Sequence, residues 1–185
     1  MNRFRLLALL LLTTGLTIAL SITAGAALPK PGNTLIVPAK SIGDVSLGST
    51  STEVTKAWGK NAACELTCDY AGATKGGGIP AQAVANLEQS GGTPYVATIY
   101  VEVGTTGGAS PKPDFDTRLT RFATSKGIHL GSTVKELTAA YRGLNKEHDP
   151  AVDLYTLKGP KESATVFTVV EGRVTEILIE AHPRG

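Results

Sequence analysis

Apolar and polar residues alternate with a period of two in three runs near the C-terminal end of the chain. The runs "VDLYTLKG" (152–159), "ATVFTVV" (164–170) and "VTEILIEA" (174–181) therefore predict three strands. In the last run Ile177, Ile179 and Ala181 alternate with Glu176, Leu178 and Glu180, which predicts an antiparallel sheet with one face packed and one face wet. Glu171-Gly172, between the last two runs, is a tight-turn signal. Three earlier runs, "CELTCDYA" (64–71), "QAVANLEQ" (82–89) and "PYVATIYVEV" (94–103), read as strands of less regular pattern. In the third of these Ile99 and Val101 share one face, and Thr98, Tyr100 and Glu102 share the other. Helical spacing shows in two short places: Val54, Ala57 and Trp58 fall on one face, as do Leu137, Ala140 and Tyr141. The stretch "ATKGGG" reads as a flexible surface loop, and "GTTGGASPKP" (104–113) as a connection.

The two helical places belong to a longer echo. Leu47 to Trp58 aligns without a gap with Leu130 to Tyr141, and 7 of the 12 pairs are identical. In each copy Leu-Gly-Ser-Thr is followed by Glu three residues after the Thr. That is the spacing of a capping box, with Thr50 and Glu53 in one copy and Thr133 and Glu136 in the other. Gly48 and Gly131 stand where the chain must turn, and Gly59 and Gly143 stand near the helix ends. Each copy thus reads as a short capped helix followed by an antiparallel meander. The expected fold is α+β, two tandem homologous modules. The expected organisation is 1–26 as a signal peptide, 27–40 as an N-terminal extension, 41–103 and 122–181 as the modules, and 104–121 as the linker.

This arrangement resembles the β-lactamase-inhibitor-protein-like fold. It is also similar to the single-module outer-membrane assembly lipoproteins of the small-protein-A type. The resemblance rests on Val45 to Gly59, Ile128 to Gly143 and the hairpin Val166 to Ile179. It implies an exported, non-enzymatic protein, and in the inhibitor family one that grips an enzyme with an aromatic-rich concave sheet. The chain departs from that pattern, since aromatic residues make up only 5% of it.

The N-terminus changes the picture of charge and compartment. Arg3 and Arg5 precede an uncharged stretch from Leu6 to Pro29, and Ala24-Gly25-Ala26 fits a signal-peptidase site. Cleavage after Ala26 is expected, with an uncleaved membrane anchor as the rival, so the location is secreted or extracytoplasmic. The chain has 18 Lys+Arg and 16 Asp+Glu; removal of Arg3 and Arg5 leaves 16 against 16. A neutral protein without a Lys/Arg cluster carries no footprint for nucleic acid, and contact with a membrane is expected only if the N-terminal segment stays uncleaved.

Candidate chemistry is sparse. Cys64 and Cys68 are the only cysteines, and in an exported chain they are expected to form a disulfide. A straight strand would hold them ~13 Å apart, so "ELT" must turn or bulge, with a hairpin tip as one solution. His129, His148 (in the loop "KEHDP") and His182 are scattered, and no nucleophile elbow, zinc-protease or phosphate-loop motif is present. No catalytic, cofactor-binding or metal-binding residue is assigned. The expected function is an exported, non-enzymatic binding or envelope-associated protein whose partner is another extracytoplasmic protein. The alternatives are a secreted enzyme inhibitor and a hydrolase with an unrecognised site. Tyr100, Glu102, Glu176, Leu178 and Glu180 form the candidate partner face.

Overall fold

The alternating runs become the long strands of a computed structural model that describes residues 26–30 and 32–181. In chain order, β1 (Ala26–Ala27) precedes three short strands, β2 (Leu35–Val37), β3 (Ser41–Ile42) and β4 (Val45–Ser46), and helix α1 (Ser51–Trp58). Three longer strands follow, β5 (Thr67–Ala71), β6 (Gln82–Glu88) and β7 (Tyr95–Glu102). The short β8 (Gly104–Thr105), β9 (Pro113–Asp114) and β10 (Ala123–Thr124) lead to helix α2 (Val134–Ala140). The chain closes with β11 (Asn145–His148), β12 (Asp153–Lys158), β13 (Ser163–Val170) and β14 (Arg173–Ala181).

Eight strands form one sheet in the order β1-β5-β6-β7-β14-β13-β12-β11. All its pairings are antiparallel except that of β1 with β5. A four-stranded sheet, β10-β2-β3-β4, and the ribbon β8-β9 complete the described architecture. One hydrophobic cluster joins them. Ile99, Val101, Phe167, Ile177 and Ile179 from the large sheet are fully buried, with Ile36, Ile42 and Val45 of the small sheet and Val54 and Leu137 of the helices. Trp58 meets Tyr70 edge-on at 5.6 Å, and Tyr141 stacks on Phe167 at 5.9 Å.

The expected α+β pair of modules is corrected by this arrangement. The described residues are mostly β, with two helices of eight and seven residues among them. Strands from both halves run through a single mixed sheet, because β7 pairs directly with β14 from Thr98–Glu180 to Glu102–Glu176. The helices stay short for a local reason. Each is capped by the threonine just before its first residue, Thr50 or Thr133, and each is followed within three residues by a glycine at positive φ, Gly59 (φ 111°) or Gly143 (φ 79°). Each of the two sheets that modules would form leaves an edge exposed; pairing β7 with β14 removes both at once.

The echoed Leu-Gly-Ser-Thr segments have a common task. Both helices carry the complete capping box. Gly48 donates its N–H to the Val96 carbonyl and Ser49 accepts from the Val96 N–H, both at 2.8 Å; Gly131 and Ser132 make the same pair of bonds with Val174, both at 2.8 Å. Each segment therefore ties the start of a helix to one of the two central strands, β7 or β14. Gly48 (φ 86°) and Gly131 (φ 95°) supply the left-handed backbone that this requires.

Two loop readings are also corrected. "KEHDP" is not a loop at His148: Asn145–His148 is edge strand β11, paired with β12. "ATKGGG" is not a free loop either. Gly78 and Gly107 pack against the backbone of the facing segment, and a Cβ on Gly78 would collide with the Thr105 carbonyl and one on Gly107 with the Gly76 carbonyl. Thr105 donates its N–H to the Ile79 carbonyl at 2.8 Å, and Lys75 pairs with Asp114 at 2.8 Å.

Candidate binding face

The face of the large sheet away from the core is built by alternation across successive strands. Register places Asp69, Val84, Tyr100 and Leu178 side by side, and the same row continues through Val166 and Thr156 to Asn145. The next row reads Gln82, Glu102, Glu176, Thr168, Leu154 and Glu147. A third holds Asn86, Thr98, Glu180, Ala164 and Lys158. All five sequence-predicted residues lie on this face, with Tyr100 beside Leu178 and Glu102 beside Glu176. Each is partly buried, whereas Ile99, Val101, Ile177 and Ile179 on the opposite face are fully buried.

A groove of about 780 Å3 runs over β14, β13, β12 and β11 and reaches Thr98 on β7 and Asn86 on β6. Strand twist accumulates across a wide sheet, which lets such a sheet fold over one of its own faces. Glu176, Leu178 and Glu180 line the groove; Tyr100 and Glu102 lie beside it on β7. Its lining includes apolar Leu154 and Val166, and Glu147 ends the row on the edge strand β11. Leu154, Val166, Thr168 and Glu147 were not singled out in the sequence. Those on β12 and β13 share the alternation that marked Leu178. Glu147 carried no such signal, because β11 has no apolar residue; only the following Asp149-Pro150 turn, where Asp149 Oδ1 accepts from the Ala151 N–H at 3.1 Å, hinted at a hairpin.

Electrostatics on the face are dominated by carboxylates. Partial burial, and then the Glu176 carboxylate opposite, push the Glu102 carboxyl up from its ordinary range. Glu176 accepts a 2.6 Å hydrogen bond from Thr168 Oγ1. Burial raises the Tyr100 hydroxyl, with further contributions from Glu102, Asp69 and Glu176. Burial also raises Asp69, whose Oδ1 is shielded from solvent with no hydrogen-bond partner. Among the described residues no lysine or arginine forms an ion pair with Glu102, Glu147 or Glu176.

The remaining candidates lie elsewhere. Cys64 and Cys68 form a disulfide with a Cα separation of 4.2 Å. The reversal occurs at a bend over Glu65 and Leu66 that leads into β5, and not at a hairpin tip. His129 Nδ1 lies 2.7 Å from the Leu130 carbonyl, and His148 Nδ1 lies 2.7 Å from Asp153 on the exposed β11 edge. Among the described residues no cluster of three His, Cys, Asp or Glu side chains is placed to hold a metal ion, and no helix is long and apolar enough to cross a membrane. The expected signal peptide, apart from Ala26, and His182 lie outside the described residues. Comparison of the chain with family models, curated proteins and solved structures finds no match.

Proposed function

We propose that this chain is an exported, non-enzymatic binding protein, and that the open face of its large sheet receives another extracytoplasmic protein. The observation that carries this reading is the groove over β11–β14, in which Leu154, Val166 and Leu178 lie between carboxylates. Such a surface offers apolar area to a partner and polar groups to fix its position. Tyr100, next to Leu178, supplies an amphipathic ring of the kind that anchors interfaces. Export is supported by the uncharged N-terminal stretch and by the Cys64–Cys68 bond, which suits an oxidising compartment. The low aromatic content gives no support to the aromatic-rich grip that the inhibitor resemblance implies.

The test is site-specific photo-crosslinking in extracytoplasmic extract. A crosslinker at position 178 should trap a defined protein that a crosslinker at Lys56, exposed on α1, does not. The trapped protein, purified, should bind the wild type at least tenfold more tightly than the Tyr100→Ala/Leu178→Ala variant. Equal binding by a folded variant would place the binding surface elsewhere.

A further inference from the structure

The chemistry of the partner can be read from the lining of the groove. Glu176 on β14 and Glu147 on β11 belong to one register row, with Thr168 and Leu154 between them. Three inter-strand steps separate them, roughly 14 Å along the sheet. That spacing admits one extended polypeptide, with side chains reaching either carboxylate. Beside the row, Leu178 faces Val166, so apolar side chains lie next to and between the two carboxylates. Lysine and arginine match this combination: their aliphatic stems cover apolar surface while the charged heads reach acceptors a few ångströms away.

Charge supports the same occupant from a second direction. Glu102 sits directly opposite Glu176, and like charges at facing positions of a sheet are destabilising. Burial and the Glu176 charge disfavour ionised Glu102. Lys158, a cation lining the groove, belongs to the row of Glu180, two strands from it and two rows away from Glu176. The fold therefore holds carboxylates together without a described cation between them, and a cationic partner relieves that repulsion on binding.

Resting on the binding reading above, we propose that the groove takes an extended, lysine- or arginine-bearing segment of the partner protein, its cationic side chains reaching Glu176 on β14 and Glu147 on β11. The probe is a fluorescein-labelled decapeptide alternating Lys and Thr, compared with one alternating Glu and Thr, by fluorescence anisotropy on the full protein at 50 mM salt. The Lys peptide should bind and the Glu peptide should not. Glu147→Gln/Glu176→Gln should weaken binding at least tenfold while melting no lower than wild type. Raising the salt to 500 mM should weaken the wild-type complex at least tenfold, a readout that needs no variant. Failure of the Lys peptide to bind, or equal binding of both peptides or by the double-Gln variant, overturns the proposal. With the crosslinked partner, loss of affinity in Tyr100→Ala/Leu178→Ala but not in Glu147→Gln/Glu176→Gln would overturn this inference and leave the binding reading standing. Unchanged affinity in both would remove both.

Discussion

Glu102 and Thr165 show how single side chains divide between function and stability. Burial and the opposing Glu176 raise the folded-state pKa of Glu102 above its unfolded value. The folded protein then holds the proton more tightly than the unfolded chain, so stability rises as pH falls through the raised value and levels off below the ordinary carboxylate pKa of about 4.3. Glu102→Gln should raise stability at pH 7 by about 0.2–1 kcal/mol, the usual scale for facing like charges. It should also flatten that part of the pH profile, as measured by urea melts at pH 7 and pH 5; a variant less stable at pH 7 would contradict the repulsion. Thr165 does the opposite job. It is fully buried on β13, and its hydroxyl accepts a 2.6 Å bond from the Ala39 N–H, which joins the small sheet's β2–β3 turn to the large sheet. Thr165→Val leaves that N–H unpaired, and denaturant melts should show a loss of about 1–3 kcal/mol. The alternation made Glu102 legible in the sequence. Nothing marked Thr165, because its partner is 126 residues away and Ala39 adopts φ 58° with no glycine or asparagine to signal it.

At the scale of elements, the caps were legible and the small strands were not. A capping box is written in four consecutive residues, and both boxes formed. Thr133→Ala should cost about 1 kcal/mol. The backbone and side-chain hydrogen bonds of Thr50 and Thr133 hold the Glu53 and Glu136 carboxyls below their ordinary range. Their contribution is therefore present above the unfolded pKa and is lost as pH falls through the lowered one. This window lies on the acid side of the one in which Glu102 acts, so the two effects separate in a pH series. By contrast, β1, β3, β4, β8, β9 and β10 are two residues each, too short to show a period, and β11 is polar throughout. The packing of the two glycine-rich segments was hidden for another reason: glycine reads as flexibility when its close neighbour is unknown. Gly78→Ala and Gly107→Ala each force backbone apart, and each should lower stability by at least about 1–3 kcal/mol in urea melts. Wild-type stability in either variant would show that the segments do not pack as described.

For the molecule as a whole, the central fact is the β7–β14 pairing. The sequence allowed the two stretches to extend or abut their sheets but did not show which strands join, because a pairing between strands some seventy residues apart leaves no local pattern, whereas the strands themselves were found by their alternation. The pairing makes one sheet and one core out of strands from both halves of the chain. Calorimetry of the reduced-length chain 27–185 should therefore give a single transition with equal calorimetric and van't Hoff enthalpies; two resolved transitions would mean that the halves fold independently. The same pairing sets Tyr100 and Glu102 beside Leu178 and Glu176, so the candidate face exists only in the joined sheet. The measurement that tests the account most directly is the affinity of the protein trapped at position 178 for wild type and for Tyr100→Ala/Leu178→Ala, each shown to be folded by its melting curve. The account predicts at least a tenfold loss in the double variant with its cooperative transition retained. Undiminished affinity in that folded variant would contradict it.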